Sequence, residues 1–182
     1  ERVHLNTVRV ASALKAAAIL EAQSKKHPDH PGAAHYLIHS YDYPPIANKG
    51  LQAARRYIEI APSAPHALHM PSHIFTRVGA WQDSVTSNLR SASVAKAAGD
   101  FEDQLHAMDY LAYAYLQLAN DSAVKRVVAE APDVQKSATP GLGEAYARAA
   151  IPARYAIERG AWQEAAQLQP QPTRFAFIKA TE

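Results

Sequence analysis

The sequence predicts an all-α array of antiparallel helix hairpins, and three observations predict it. The chain matches itself after a step of 34 residues, which sets Pro28 on Pro62, Pro31 on Pro65, His35 on His69 and His39 on His73. The turn Arg159-Gly160-Ala161-Trp162-Gln163-Glu164-Ala165 repeats Val78-Gly79-Ala80-Trp81-Gln82-Asp83-Ser84 at an offset of 81 residues, which also sets Pro152 on Pro71. Between these landmarks lie Ala-rich segments with apolar residues at helical spacing, ended by prolines. A fixed period in this range marks a solenoid, in which each hairpin buries its apolar face only against its neighbours.

The elements follow in order. Residues 7–26 have the Ala, Leu and Lys content of an amphipathic helix and stop at Pro28 and Pro31; they read as the closing helix of an incomplete hairpin. The next hairpin has helices over 32–42 and 48–60, broken at Pro44-Pro45 and closed by Pro62 and Pro65. The second spans 64–78 and 81–98, with Gly79 in a tight turn where a positive φ is needed. A third covers 101–118 and 121–131, ending at Pro132 before a polar connector with Pro140, Gly141 and Gly143. The fourth covers 144–159 and 162–168. Pro71 and Pro152 fall inside first helices, where each removes a backbone hydrogen bond and is expected to kink the helix. The domain is expected over residues 1–168, with 169–182 as a C-terminal tail that leaves the array. Trp81 and Trp162 are expected to pack in the inter-helix turns.

At 182 residues, 48% apolar and 20% charged, the chain can bury a real core. A formal charge of +2 without a basic run or an aromatic-interleaved stripe argues against nucleic acid as a partner. The absence of cysteine excludes disulfides, thiolate nucleophiles and Cys-ligated metal sites. No segment approaches the roughly 20 apolar residues of a membrane span, so no membrane partner is expected. The chain opens at Glu1 within a helical unit, as expected of a processed or excised piece; a signal peptide and the compartment cannot be assessed from it.

The Gly-Ala-Trp turn, the Ala-rich second helices such as Ala53-Ala54-Arg55-Arg56-Tyr57 and the prolines that end them resemble the tetratricopeptide repeat (TPR) family, over about residues 7–168. The chain resembles a histidine-rich, bacterial-type variant of that pattern. Pro44-Pro45 in place of the turn glycine, Asn120-Asp121 after Ala119, and the two helix-interrupting prolines depart from it. The resemblance implies a right-handed superhelix whose first helices line a concave, ligand-binding groove.

His35, His39 and Asp42 are spaced i, i+4, i+7, and His66, His69 and His73 are spaced i, i+3, i+7, so each set shares one helix face. Setting Ala119 on Gly79 aligns His106 with His66, Asp109 with His69 and Tyr113 with His73; in the fourth hairpin the matching residues are Ala147, Ala150 and Arg154, so the stripe ends on a cation. Apolar residues such as Tyr36, Leu37, Tyr41, Leu68, Ile74 and Phe75 occupy the complementary faces. The histidine face is therefore expected to point away from the core.

Three readings of the stripe compete. In the first, a scaffold binds a protein, peptide or small ligand in the groove through His35, His39, Asp42, His66, His69, His73, His106, Asp109 and Tyr113, with Tyr43 and Tyr110 adding contact area. In the second, His35, His39, His69 and His73 hold a divalent transition metal (zinc, iron, manganese or copper), and an open coordination position would allow a metal-dependent hydrolase or oxidoreductase, with Asp42 or Tyr113 handling protons. In the third, the imidazoles bond only to one another and to nearby carbonyls. Ser72 lacks the Gly-x-Ser-x-Gly setting of a nucleophile and is better read as a small residue at a close helix contact. His27-Pro28-Asp29-His30-Pro31 reads as polar turn chemistry at a helix end, and Lys25-Lys26 and Arg55-Arg56 as solvated helix faces and C-terminal turns.

Overall fold

The computed structural model describes residues 2–170 and 172–179, with side chains described from residue 9 to residue 178. Among the described residues all regular structure is helical. The helices are α1 (Arg2–Lys26), α2 (Pro31–Tyr41), α3 (Leu51–Ile60), α4 (Pro65–His69), α5 (Pro71–Val78), α6 (Trp81–Ala98), α7 (Phe101–Gln117), α8 (Asp121–Glu130), α9 (Leu142–Arg159), α10 (Trp162–Ala165) and α11 (Ala176–Lys179), with 3-10 turns at Ala47–Gly50 and Ala131–Asp133. They form two compact units, Glu1–Ser87 and Asn88–Glu182, divided within α6. None of the described helices is long and apolar enough to cross a membrane.

In the first unit α1 packs on α2, α2 on α3 and α5, and α3 on α5. Pro31 at the first position of α2 supplies a preset φ and lacks an amide that would have gone unpaired, while the His30 ring accepts from the Ala33 amide as the N-cap. The core-facing stripe is Ala34, Leu37, Ile38 and Tyr41 from α2, closed over by Ala54 and Tyr57 of α3 and Ile74 and Phe75 of α5. Tyr36, expected in that stripe, is instead 61% exposed: one residue beyond His35, it lies off the 33, 34, 37, 38, 41 face that the helical period turns inward. Gly50 permits the tight entry to α3, since a Cβ there would sit 2.8 Å from Ile74 Cδ1 and 3.0 Å from Tyr41 Cβ.

The two helix prolines behave differently. At Pro71 the helix divides into α4 and α5 around Met70, and the Leu68 carbonyl, in the turn before the break, accepts from the Ser87 hydroxyl. At Pro152, α9 runs on unbroken. Ser72 is fully buried next to the break, as a close helix contact requires.

In the second unit α7 packs on α8 and α9, and α8 on α9. Asp100 caps α7 by accepting from the Asp103 amide, and Asn120 caps α8 by accepting from Ala123. The connector after α8 is held by Arg148. Its guanidinium donates to the carbonyls of Ala131, Val134 and Gln135 and to the fully buried Glu144. Near the C-terminus Phe175 and Ile178 pack on Ala145, Tyr146 and Ala149 of α9, where burying these apolar side chains offsets the cost of ordering the segment.

The turn alignment read from the sequence has a backbone signature. Gly79 and Gly160 have φ of +74° and +60°, and Ala119, set on Gly79 by that alignment, has φ of +53°, the one positive value at a non-glycine among the described residues. The left-handed conformation crowds an alanine Cβ by about 1 kcal/mol. Ala119→Gly is accordingly expected to stabilise the second unit by roughly 0.5 kcal/mol, the relief exceeding the added entropy of the unfolded chain. Urea unfolding followed by Trp162 fluorescence in a Trp81→Phe background measures it, and a loss of stability would contradict the turn geometry. Trp81 and Trp162 lie against these turns, each indole nitrogen 3.8 Å from where a Cβ on Gly79 or Gly160 would be. Trp162 remains 67% exposed, however, because α10 is a single turn and covers little of it.

Candidate metal centre

His35 and His39 stand one turn apart on α2, with ring centroids 4.7 Å apart. Asp42 terminates that helix, its amide donating to the His39 carbonyl, which releases the carboxylate toward α5. His66 and His69 come from α4 and His73 from α5, so the Pro71 break lies between the last two. They still meet, with Nε2 atoms 3.1 Å apart, because the break is only one residue long and preserves the i, i+4 relation.

Five imidazoles of the first unit close a circuit of ring centroids. His35 lies 5.3 Å from His66, His66 6.2 Å from His69, His69 5.0 Å from His73, and His73 5.8 Å from His39, which returns to His35. Imidazoles sharing a tetrahedral ion at metal–nitrogen distances of ~2.0–2.1 Å have centroids about 5 Å apart and ligand nitrogens about 3.3 Å apart. The circuit has that scale.

Asp42 orients one member of it. Its Oδ2 lies 2.9 Å from His73 Nδ1 and its Oδ1 accepts at 2.7 Å from Arg77 Nε. With Nδ1–H donating to the carboxylate, a neutral His73 carries its lone pair on Nε2, the atom facing His69. A carboxylate behind a ligating imidazole is the usual outer support of a metal site: it fixes the tautomer and raises ligand basicity. Burial pushes the Asp42 carboxyl up, but hydrogen bonds from His73 and Arg77 outweigh it and hold the group below its ordinary value, as an anion.

The environment also favours the neutral, metal-binding form of His35 and His39. Burial, then the neighbouring His39, His66 and His73, lowers the His35 pKa to about 4; burial and His73 lower that of His39, against the pull of Asp42. Because the folded value of His35 lies below the unfolded one near 6.5, the unfolded state binds more protons between the two. Stability of the first unit is thus expected to be level above pH 6.5 and to fall by about 1–2 kcal/mol toward pH 4, after a discount for the ring's partial exposure. Denaturation followed by Trp81 fluorescence in a Trp162→Phe background checks this; a metal-free unit equally stable at pH 4.5 and 7 would contradict it.

Exposure corrects one expectation. His39 and His66 do face outward, but His69 is 1% exposed, because α4 is short and Ala67, Leu68 and Met70 around it are buried as well. Arg77 was not among the candidates, although its position one turn beyond His73 could have indicated it.

The remaining candidates belong to the second unit. On α7, His106 packs edge-on against Tyr110 at 5.4 Å. Asp109 is 3% exposed and accepts three hydrogen bonds at 3.1–3.2 Å from Arg154, whose guanidinium lies 5.1 Å from the centre of the Tyr113 ring. The carboxylate expected to face a ligand is thus committed to the cation at the end of the stripe. Elsewhere, Asp29 of the His27–Pro31 segment pairs with Arg56.

No family model matches the chain, and no curated protein does. Solved structures do. A crystal structure of nearly identical TPR-like repeats, from a Podosopora anserina protein assigned as a kinesin light chain, superposes with a TM-score of 0.64 at 18% identity, over 86% of this chain and 83% of that one. A point variant of the same repeats gives 0.66 at 18% identity, over 94% and 87%. At this identity the likeness concerns architecture, and the architecture of this chain is that of tetratricopeptide-like repeats.

Proposed function

We propose that the protein is a helical-repeat binding scaffold whose first unit holds a divalent transition-metal ion, zinc or copper(II), in its ring of imidazoles. The observation that carries this reading is the pair His69 Nε2 and His73 Nε2 at 3.1 Å with Asp42 behind His73. His39, whose ring centroid lies 5.8 Å from that of His73, would turn toward the pair to serve as a third ligand; the remaining coordination position is left to water or a docked partner. An all-nitrogen donor set without thiolate or thioether suits Zn(II) and Cu(II) and disfavours Cu(I) and Mg(II). Solenoids commonly bind partners on their inner helices, and a metal with an open position there would hold a partner's own histidine or carboxylate.

The test is zinc and copper(II) titration of chelator-treated protein by calorimetry, with metal content read independently after dialysis. One ion per chain is expected, at micromolar affinity or better, with binding lost in His69→Ala and His73→Ala while the helical circular dichroism is kept. Metal-free protein that binds neither ion, or binds them equally well without both imidazoles, would overturn the reading.

A further inference from the structure

We propose that one face of α9 in the second unit is a docking site for an amphipathic helix of a partner protein, and that Phe175 and Ile178 hold it closed until that helix arrives. At the 3.6-residue period Leu142, Ala145, Tyr146, Ala149, Ala153 and Ile157 fall on one side of α9. Ala147 and Ile151, both fully buried, and Arg154, which reaches Asp109 of α7, fall on another. The stripe therefore faces away from the packing against α7. None of its side chains is charged, and at 1.5 Å per residue it runs for about 22 Å.

The residues already seated there show which chemistry the face accepts. Ile178 of the single-turn helix α11, with Phe175 just before that helix, packs on Ala145, Tyr146 and Ala149. Ile178 is fully buried. The two side chains stand i, i+3 apart, and the Ile178 amide donates to the Phe175 carbonyl at 3.1 Å, so they share one face of a turn. Alanines on α9 leave room for an aromatic and a branched aliphatic group to come close to the helix.

This cover is incomplete. With four residues α11 spans about 6 Å, and the contacts it brings lie at the centre of the stripe. Leu142 and Ile157, toward the two ends, stay exposed, as does Phe177 on α11 itself. The hold is also slight, because one buried side chain and one half-buried ring must offset the conformational entropy of ordering the whole segment. A helix of about 15 residues could lie along the full stripe and cover Leu142 and Ile157 as well as the alanines. It would bury more apolar surface than the resident pair and so displace it. The anchors it needs are aromatic and aliphatic residues at i, i+3, i+4 and i+7 spacing, the pattern that Phe175 and Ile178 begin.

The test uses the full chain in metal-free buffer and a fluorescein-labelled helical peptide of about 15 residues, with Leu, Phe, Ile and Leu at i, i+4, i+7 and i+11 on a background of Ala, Gln and Lys. Fluorescence anisotropy reads binding. Phe175→Ala/Ile178→Ala is expected to bind the peptide about tenfold more tightly than the wild-type chain, as when the resident pair is seated in about nine molecules of ten. In that background Ala149→Glu should lower the affinity about tenfold or more and Ile157→Gln several-fold. A peptide with Ala in place of its Phe and Ile should not bind. Circular dichroism of each variant separates lost docking from lost fold. In the unsubstituted chain, saturating peptide should shift the side-chain resonances of Phe175 and Ile178, a readout that needs no mutation. Binding that is equally tight with and without the resident pair, or indifferent to Ala149→Glu, would overturn the proposal. So would dimerisation of Phe175→Ala/Ile178→Ala in place of peptide binding, which would make a second copy the occupant.

Discussion

Arg154→Ala is expected to destabilise the second unit by about 3 kcal/mol or more and to lower its melting temperature by on the order of 12 °C or more. The cost lies in what the substitution leaves behind. Asp109 is 3% exposed, and its two carboxylate oxygens receive three hydrogen bonds from the guanidinium. Burial pushes its carboxyl up and Arg154 pulls it part of the way back. Without the guanidinium, a buried anion keeps its desolvation penalty and loses its partner, and breaking such a pair costs far more than the pair contributes. Tyr113 loses its cation–π contact as well.

Two controls make the cause visible. In Arg154→Ala the folded Asp109 pKa lies further above the unfolded one, so the folded state binds the extra proton and the deficit should shrink as pH falls. Adding Asp109→Asn should recover part of the loss, because a neutral amide is less costly to bury alone. Thermal and urea unfolding followed by Trp162 fluorescence in a Trp81→Phe background reads both. A loss below 1 kcal/mol, or a double variant no better than the single one, would mean that the pair is solvated and structurally minor.

The helix hairpins were legible because their signals are local. Prolines, turn glycines and Ala-rich stripes act within a few residues, and Ala119, aligned with Gly79, has a left-handed backbone at φ +53° that its residue type did not announce. Less legible was which partner each side chain takes, since that depends on contacts between helices. Asp109 and Arg154 were placed on the same stripe, but their pairing arises where α7 meets α9, 45 residues apart in sequence. Arg77 stood one turn beyond His73, but that spacing alone did not reveal that it would meet Asp42 of α2. The split fate of Pro71 and Pro152 was also hidden, because both lack the same amide and only their surroundings differ: at Pro71 the helix divides around Met70, while α9 accommodates Pro152 unbroken. The histidine register was visible from the outset; the closure of five rings into a circuit required α2, α4 and α5 to be set side by side.

Asp42→Asn is expected to weaken zinc binding by about 10–100-fold while leaving the helical fold of the metal-free chain in place. The carboxylate accepts from two donors at once, His73 Nδ1–H and Arg77 Nε–H. An asparagine can accept through one oxygen and must present an N–H₂ group to the other donor. The His73 ring then either loses its orienting bond or adopts the other tautomer, which puts the proton on the nitrogen that faces His69. Arg77→Ala provides the contrast, because it removes one donor and keeps the carboxylate on His73. Its zinc affinity should stay within a few-fold of the wild-type value, and the Asp42 carboxyl should titrate higher without its Arg77 contact. The pH profile separates orientation from simple loss of structure: in Asp42→Asn the affinity should be lower at neutral pH while its acid limb moves to lower pH, because the carboxylate that pulls the His39 pKa up is gone. Should Asp42→Asn bind zinc as tightly as the wild-type chain, the carboxylate would be a partner of Arg77 alone and the imidazole pair would lack the support that a metal ligand requires.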